Sequence, residues 1–102
     1  MKLTIRESND IRLQGIPYKT RKRLEDQGYE MDCIPVIYYA DIDDEIELYD
    51  IVTNQKAVYV KKEDRLGNII LAYRSGFIDE FGKSNLPVRG RSFPNGIVIK
   101  II

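Results

Sequence analysis

The chain closes on Ile97-Val98-Ile99-Lys100-Ile101-Ile102, five apolar residues in six. Few sequences constrain a fold as tightly. The β-branched residues favour a strand, and both faces of that strand are apolar. Left at an open sheet edge it would template aggregation. It therefore belongs either in the middle of the sheet or across a two-fold interface with a second copy. The central position is the simpler reading, because one buried strand already explains the composition.

Other segments share the strand character. Lys2 to Glu7 alternates, with Leu3 and Ile5 on one side and Lys2, Thr4 and Arg6 on the other. Tyr29, Met31 and Cys33 alternate with Glu30 and Asp32, and Pro35 interrupts them. Val36-Ile37-Tyr38-Tyr39-Ala40 reads as a strand covered on both faces. On such a strand Tyr38 and Tyr39 point to opposite sides. Ala57 to Val60 and Ile69 to Tyr73 repeat this pattern, with Glu63 to Asn68 between them as a hairpin connection. Asp41 to Val52 fits a strand or a helix. Ile51-Val52 and the following Thr53-Asn54 turn favour the strand.

The helix candidate is Pro17 to Gln27, opened by Pro17 and stopped by Gly28. Ile16, Thr20 and Leu24 share one stripe. The basic residues at its start and Glu25 and Asp26 at its end oppose the helix dipole, so Leu24 is its main anchor. Phe77, Ile78 and Phe81 suggest one helical turn before Gly82, and Pro87, Gly90, Pro94 and Gly96 punctuate a loop.

These elements predict an α+β, β-rich fold: a bent antiparallel sheet or small β-barrel of five to seven strands, with one short helix in the N-terminal half. The 102 residues, 43% of them apolar, form one domain spanning 1–102. Met1 to Arg6 reaches a charge too early for a signal peptide. The apolar stretch Cys33 to Ala40 is far shorter than the roughly 20 residues a membrane span needs. One cysteine allows no internal disulfide and fits a reducing compartment. The expectation is a cytoplasmic protein, of a cell or of a host cell infected by a virus, with no membrane partner.

Histidine is absent, which removes the commonest general base, the commonest transition-metal ligand and every nucleophile that relies on imidazole. Cys33 sits in an apolar segment beside Asp32, and both burial and the carboxylate favour the unreactive thiol. The expectation is a non-enzyme without cofactor or metal.

Charge is balanced at 16 basic and 16 acidic residues, but unevenly spread. Residues 31–50 carry seven acidic side chains and no basic one. Asp41 and Asp43, two apart on a strand end, could share a hard cation. The calcium-loop pattern fails there, since Ile46 stands where glycine is wanted and Val52 where a bidentate glutamate belongs. A solvated turn is the plainer reading.

The leading functional expectation is a non-catalytic interaction module with a protein partner, of the kind a virus uses to inhibit a host enzyme. Its surface would consist of Tyr38, Tyr39, Asp41, Asp43, Asp44, Glu45 and Glu47, with the whole acidic stretch to Asp50 facing a basic partner. The alternative is a nucleic-acid-binding accessory protein using Lys19, Arg21, Lys22, Arg23, Arg89 and Arg91. Arg89-Gly90-Arg91 resembles a minor-groove hook in outline but lacks the following proline, Ser92 standing there. A metal-dependent enzyme at Asp41 and Asp43 ranks third.

Overall fold

A computed structural model describes residues 4–94 and 96–102. These form a short 3-10 turn (Ile11–Leu13), two α-helices, α1 (Tyr18–Asp26) and α2 (Cys33–Tyr39), and five strands. The strands are β1 (Glu45–Asp50), β2 (Gln55–Glu63), β3 (Ile69–Gly76), β4 (Leu86–Pro87) and β5 (Ile97–Ile101). All pairings are antiparallel, in the order β4-β3-β2-β1-β5. The sheet is bent and not closed, so the bent-sheet form of the expectation holds and the barrel form does not. No described helix is long and apolar enough to cross a membrane.

α1 forms where the sequence places it. Pro17 precedes it in extended conformation and Leu24 is its buried residue. Gly28, at φ +94°, ends it: its N–H donates to Glu25 O at 2.9 Å and that of Tyr29 to Leu24 O at 3.1 Å. This double closure requires a left-handed residue, which glycine adopts without strain.

α2 corrects the reading of Val36 to Ala40 as a strand. Cys33, Val36, Ile37 and Ala40 are buried, and their spacing is helical. Pro35 lies in the first turn, where a missing N–H costs nothing. Tyr38 and Tyr39 therefore do not point to opposite faces; both are exposed. β-branched and aromatic residues favour strands locally, but burial of this one stripe decides the element. Of the expected Tyr29–Cys33 strand only a single bridge survives, Glu30 with Ile99.

The N-terminal strand is also corrected. Lys2 and Leu3 lie outside the described residues, and Ile5 to Glu7 form a turn. Ile5 is nonetheless buried, with Leu13, Leu24, Tyr29, Ile51 and Val98, in a small cluster on one face of the sheet. The main core lies on the other face, where Cys33, Val36 and Ile37 of α2 and Ile78, Leu86 and Val88 join Ile46, Leu48, Tyr59, Leu71, Ile97 and Ile99.

β5 is an edge strand and not a central one. Its register on β1, and the donation of Ile102 N to Glu45 O, turn the backbone of Ile97 and Ile99 outward. Glu30 meets that edge: Glu30 N donates to Ile99 O at 2.8 Å and Ile99 N to Glu30 O at 2.9 Å. The segment joining the helices thus covers the edge that composition said must be covered.

Two turns show local sequence at work. Between β1 and β2 the buried Asp50 carboxylate accepts the N–H groups of Val52 and Thr53 and a guanidinium hydrogen of Arg12 at 3.0 Å. Between β2 and β3 the Asp64 carboxylate accepts the N–H groups of Leu66 and Asn68. Ile78 O accepts from Gly82 N at 2.8 Å, closing the expected turn after Phe77.

Candidate docking surface on the second helix

α2 carries no charged residue. With one stripe committed to the core and Ile34 partly buried against it, Pro35, Tyr38 and Tyr39 are exposed. Tyr38 is 51% exposed and Tyr39 86%; Ile42 follows at 43%. Beside them a groove of about 390 Å³ is lined by Glu30, Pro35, Val36, Tyr39 and Ile101. A second groove of about 310 Å³ lies between the start of α2 and the loop at Arg91 to Pro94, with Cys33 and Ile34 on its wall.

The C-terminal end of α2 is held by Lys61, a buried lysine on β2. Its Nζ donates to Tyr38 O at 3.1 Å and to Ala40 O. A cation at a helix C-terminus satisfies carbonyls that would otherwise lack donors. Sequence reasoning missed this residue. The signal was present: Ala57, Tyr59 and Lys61 share one face of an alternating strand, which turns Lys61 inward.

The acidic residues divide among three environments. Asp41 is exposed directly after α2, and its own N–H donates to the Asp44 carboxylate at 2.9 Å. Asp43 pairs with Lys62, and its positive φ of 76° forms the turn into β1. Glu45 and Glu47 alternate with Ile46 and Leu48 and so lie on the sheet face opposite α2. There Glu45 pairs with Arg74 at 2.9 Å, and Glu47 accepts the Tyr29 hydroxyl and lies 3.6 Å from Lys56. Burial, then that hydrogen bond, push the Tyr29 hydroxyl above its ordinary range. Asp50 is buried and bound by Arg12. The structure thus brings Tyr38, Tyr39 and Asp41 together and sets Glu45, Glu47 and Asp50 apart from them.

The basic residues are likewise divided. Lys19, Lys22 and Arg23 are exposed on α1. Arg21 is turned onto the chain itself: Nη1 donates to Ser8 O at 3.0 Å and Nη2 to Leu13 O, while its Nε finds no partner among the described residues. Arg91 donates from Nε to Pro87 O at 3.0 Å and stacks over Phe81 at 5.6 Å. Arg89 is exposed.

Burial first, and the neighbouring Asp32 charge second, push the Cys33 thiol up to about 12, so the nucleophilic form is scarce near neutrality. Among the described residues, no group of three or more histidine, cysteine or carboxylate side chains is placed to hold a metal ion. Compared with known protein families, with curated proteins and with solved structures, this chain matches none.

Proposed function

We propose that this protein is a non-catalytic interaction module that binds another protein through α2, with Tyr38, Tyr39 and Asp41 at the centre of contact. The observation that carries the reading is the exposure of two adjacent tyrosines on an uncharged helix fixed from beneath by Lys61. Tyrosine supplies large contact area at low entropic cost, and a rigid support keeps that cost low. The absence of histidine and the raised Cys33 thiol support a binding role over catalysis. The lone thiol suits the reducing cytoplasm of a cell or of an infected host. Blocking a host enzyme is a role that a small binding module of this build can fill.

The test compares proteins captured from a lysate by the wild type and by a Tyr38→Ala/Tyr39→Ala variant. Both side chains are exposed, so the variant keeps its circular dichroism spectrum and melting midpoint. A specific protein retained by the wild type and lost by the variant is the expected result. Equal capture by both, or capture of nucleic acid instead, overturns the reading. A melting shift with Mg²⁺ or Ca²⁺, abolished by Asp41→Asn with Asp43→Asn, would replace it with a metal-dependent one.

A further inference from the structure

α1 turns Leu24 into the smaller cluster and Arg21 onto the Ser8 and Leu13 carbonyls. Its outward face carries Lys19, Lys22 and Arg23, all exposed. Lys19 stands three and four residues from the other two, so the side chains are neighbours on the helix surface, about 5–6 Å apart at Cβ. Among the described residues no ion pair holds any of the three. Glu25, three residues beyond Lys22, is engaged elsewhere: it accepts the Arg6 N–H at 2.9 Å and pairs with the Arg6 guanidinium at 3.4 Å. The other exposed cations without an ion pair, Arg65, Lys83 and Arg89, lie in three separate loops. Like charges at these helical spacings repel, and Lys19 near the helix start also opposes the dipole. The cluster thus costs the helix stability, and a facing anion relieves that cost.

From this charge complementarity we propose that the outward face of α1 is a second docking surface. Its occupant is an acidic segment of a protein partner, which sets two or three carboxylates against Lys19, Lys22 and Arg23. The size of the face favours such a segment over nucleic acid. A duplex carries one charge about every 1.7 Å and is held along a longer cationic track, whereas here Glu25 and Asp26 close the helix. A two-fold pairing of this face with itself would appose its own cations. α1 and α2 pack against opposite faces of the sheet, so this surface is separate from Tyr38 and Tyr39 and does not depend on their role.

The test uses a random peptide library displayed on phage. The library is first passed over a Lys19→Gln/Lys22→Gln/Arg23→Gln variant, which removes peptides that bind elsewhere, and is then selected on the wild-type chain. Enriched sequences are expected to carry two or more aspartates or glutamates within a few positions. The most enriched peptide, synthesised and labelled, should bind the wild type with an affinity that falls as salt rises. Binding should weaken by about tenfold or more in the triple variant and stay unchanged after Tyr38→Ala/Tyr39→Ala. At low salt the triple variant should melt at the wild-type temperature or higher, because repulsion is removed. A lower midpoint would mean that the cations serve the fold, and overturns the proposal. Failure to enrich any peptide, or enrichment without acidic residues, overturns it as well. So does tighter binding of a single-stranded oligonucleotide or of phosphatidylserine vesicles than of the peptide at equal ionic strength. A concentration-dependent dimer in sedimentation that the triple variant dissociates would put a second copy of this chain in place of the acidic partner.

Discussion

Arg21 sits in the densest basic cluster of the sequence, yet its guanidinium binds the carbonyls of Ser8 and Leu13 and fastens the N-terminal segment to α1. A charged donor bonded to two backbone acceptors contributes about 1.5–3 kcal/mol. Arg21→Ala should therefore lower stability by about that amount in a urea titration, while leaving nucleic-acid affinity at the non-specific level of about 10⁻⁴ to 10⁻⁶ M. A tight, salt-sensitive complex that Arg21→Ala weakens without loss of stability would restore the nucleic-acid alternative. Cys33 gives a second expectation at this scale. Its folded thiol keeps its proton up to about 12, against an ordinary value of 9.0. Between those values the unfolded chain ionises and the folded chain does not. The stabilising difference is complete below about 9 and is lost as pH rises towards 12, at up to about 1.4 kcal/mol per pH unit. Tyr29 and Tyr59 are raised in the same direction by burial, so their loss adds to it. Cys33→Ala should flatten the alkaline decline in denaturation midpoints; an unchanged decline would remove Cys33 as a cause.

Elements were legible where one period dominated the text. α1 carries its start and stop in Pro17 and Gly28; β1 alternates from Glu45 to Asp50, but Asp41 to Val52 also fitted a helical stripe, and Ile51-Val52 with the following turn favoured the strand. β2 and β3 are marked by apolar runs on either side of a polar turn. α2 was illegible because every residue from Val36 to Ala40 is apolar or aromatic, so the run has no polar phase to reveal its period. Only Cys33, three residues upstream, completes the helical stripe. The sequence did single out Tyr38, Tyr39 and Asp41 as contact residues, but the strand reading put the two tyrosines on opposite faces, whereas on α2 both are exposed. β5 was recognised as a strand but not as an edge, because its cover, Glu30, comes from a distant connection that composition does not reveal. Ile99 is fully buried beneath that cover. Ile99→Glu should thus unfold the chain: a buried isoleucine is worth about 1.5–3 kcal/mol, and an unpaired buried carboxylate adds to the loss. A folded Ile99→Glu protein with a normal spectrum would show that the edge opens freely.

The described residues form two apolar clusters, one on each face of the sheet, and β5 belongs to both. Ile97, Val98 and Ile99 are consecutive and all buried; the first and third enter the main core and the second enters the smaller cluster. Neither cluster can be dissolved without withdrawing side chains from the other, because a rigid strand cannot release one face alone. The N-terminal segment, which by position resembles a detachable strap, is thereby tied to the stability of the main core. Unfolding should be a single cooperative event. Tyr29 reports on the smaller cluster, Tyr59 on the larger, and backbone dichroism on the sheet. With Tyr29→Phe and Tyr59→Phe variants used to assign the near-ultraviolet signal, all three probes should trace one coincident curve in urea. Two separated midpoints would mean that the halves melt independently and that β5 is a hinge between them and not a bolt through both.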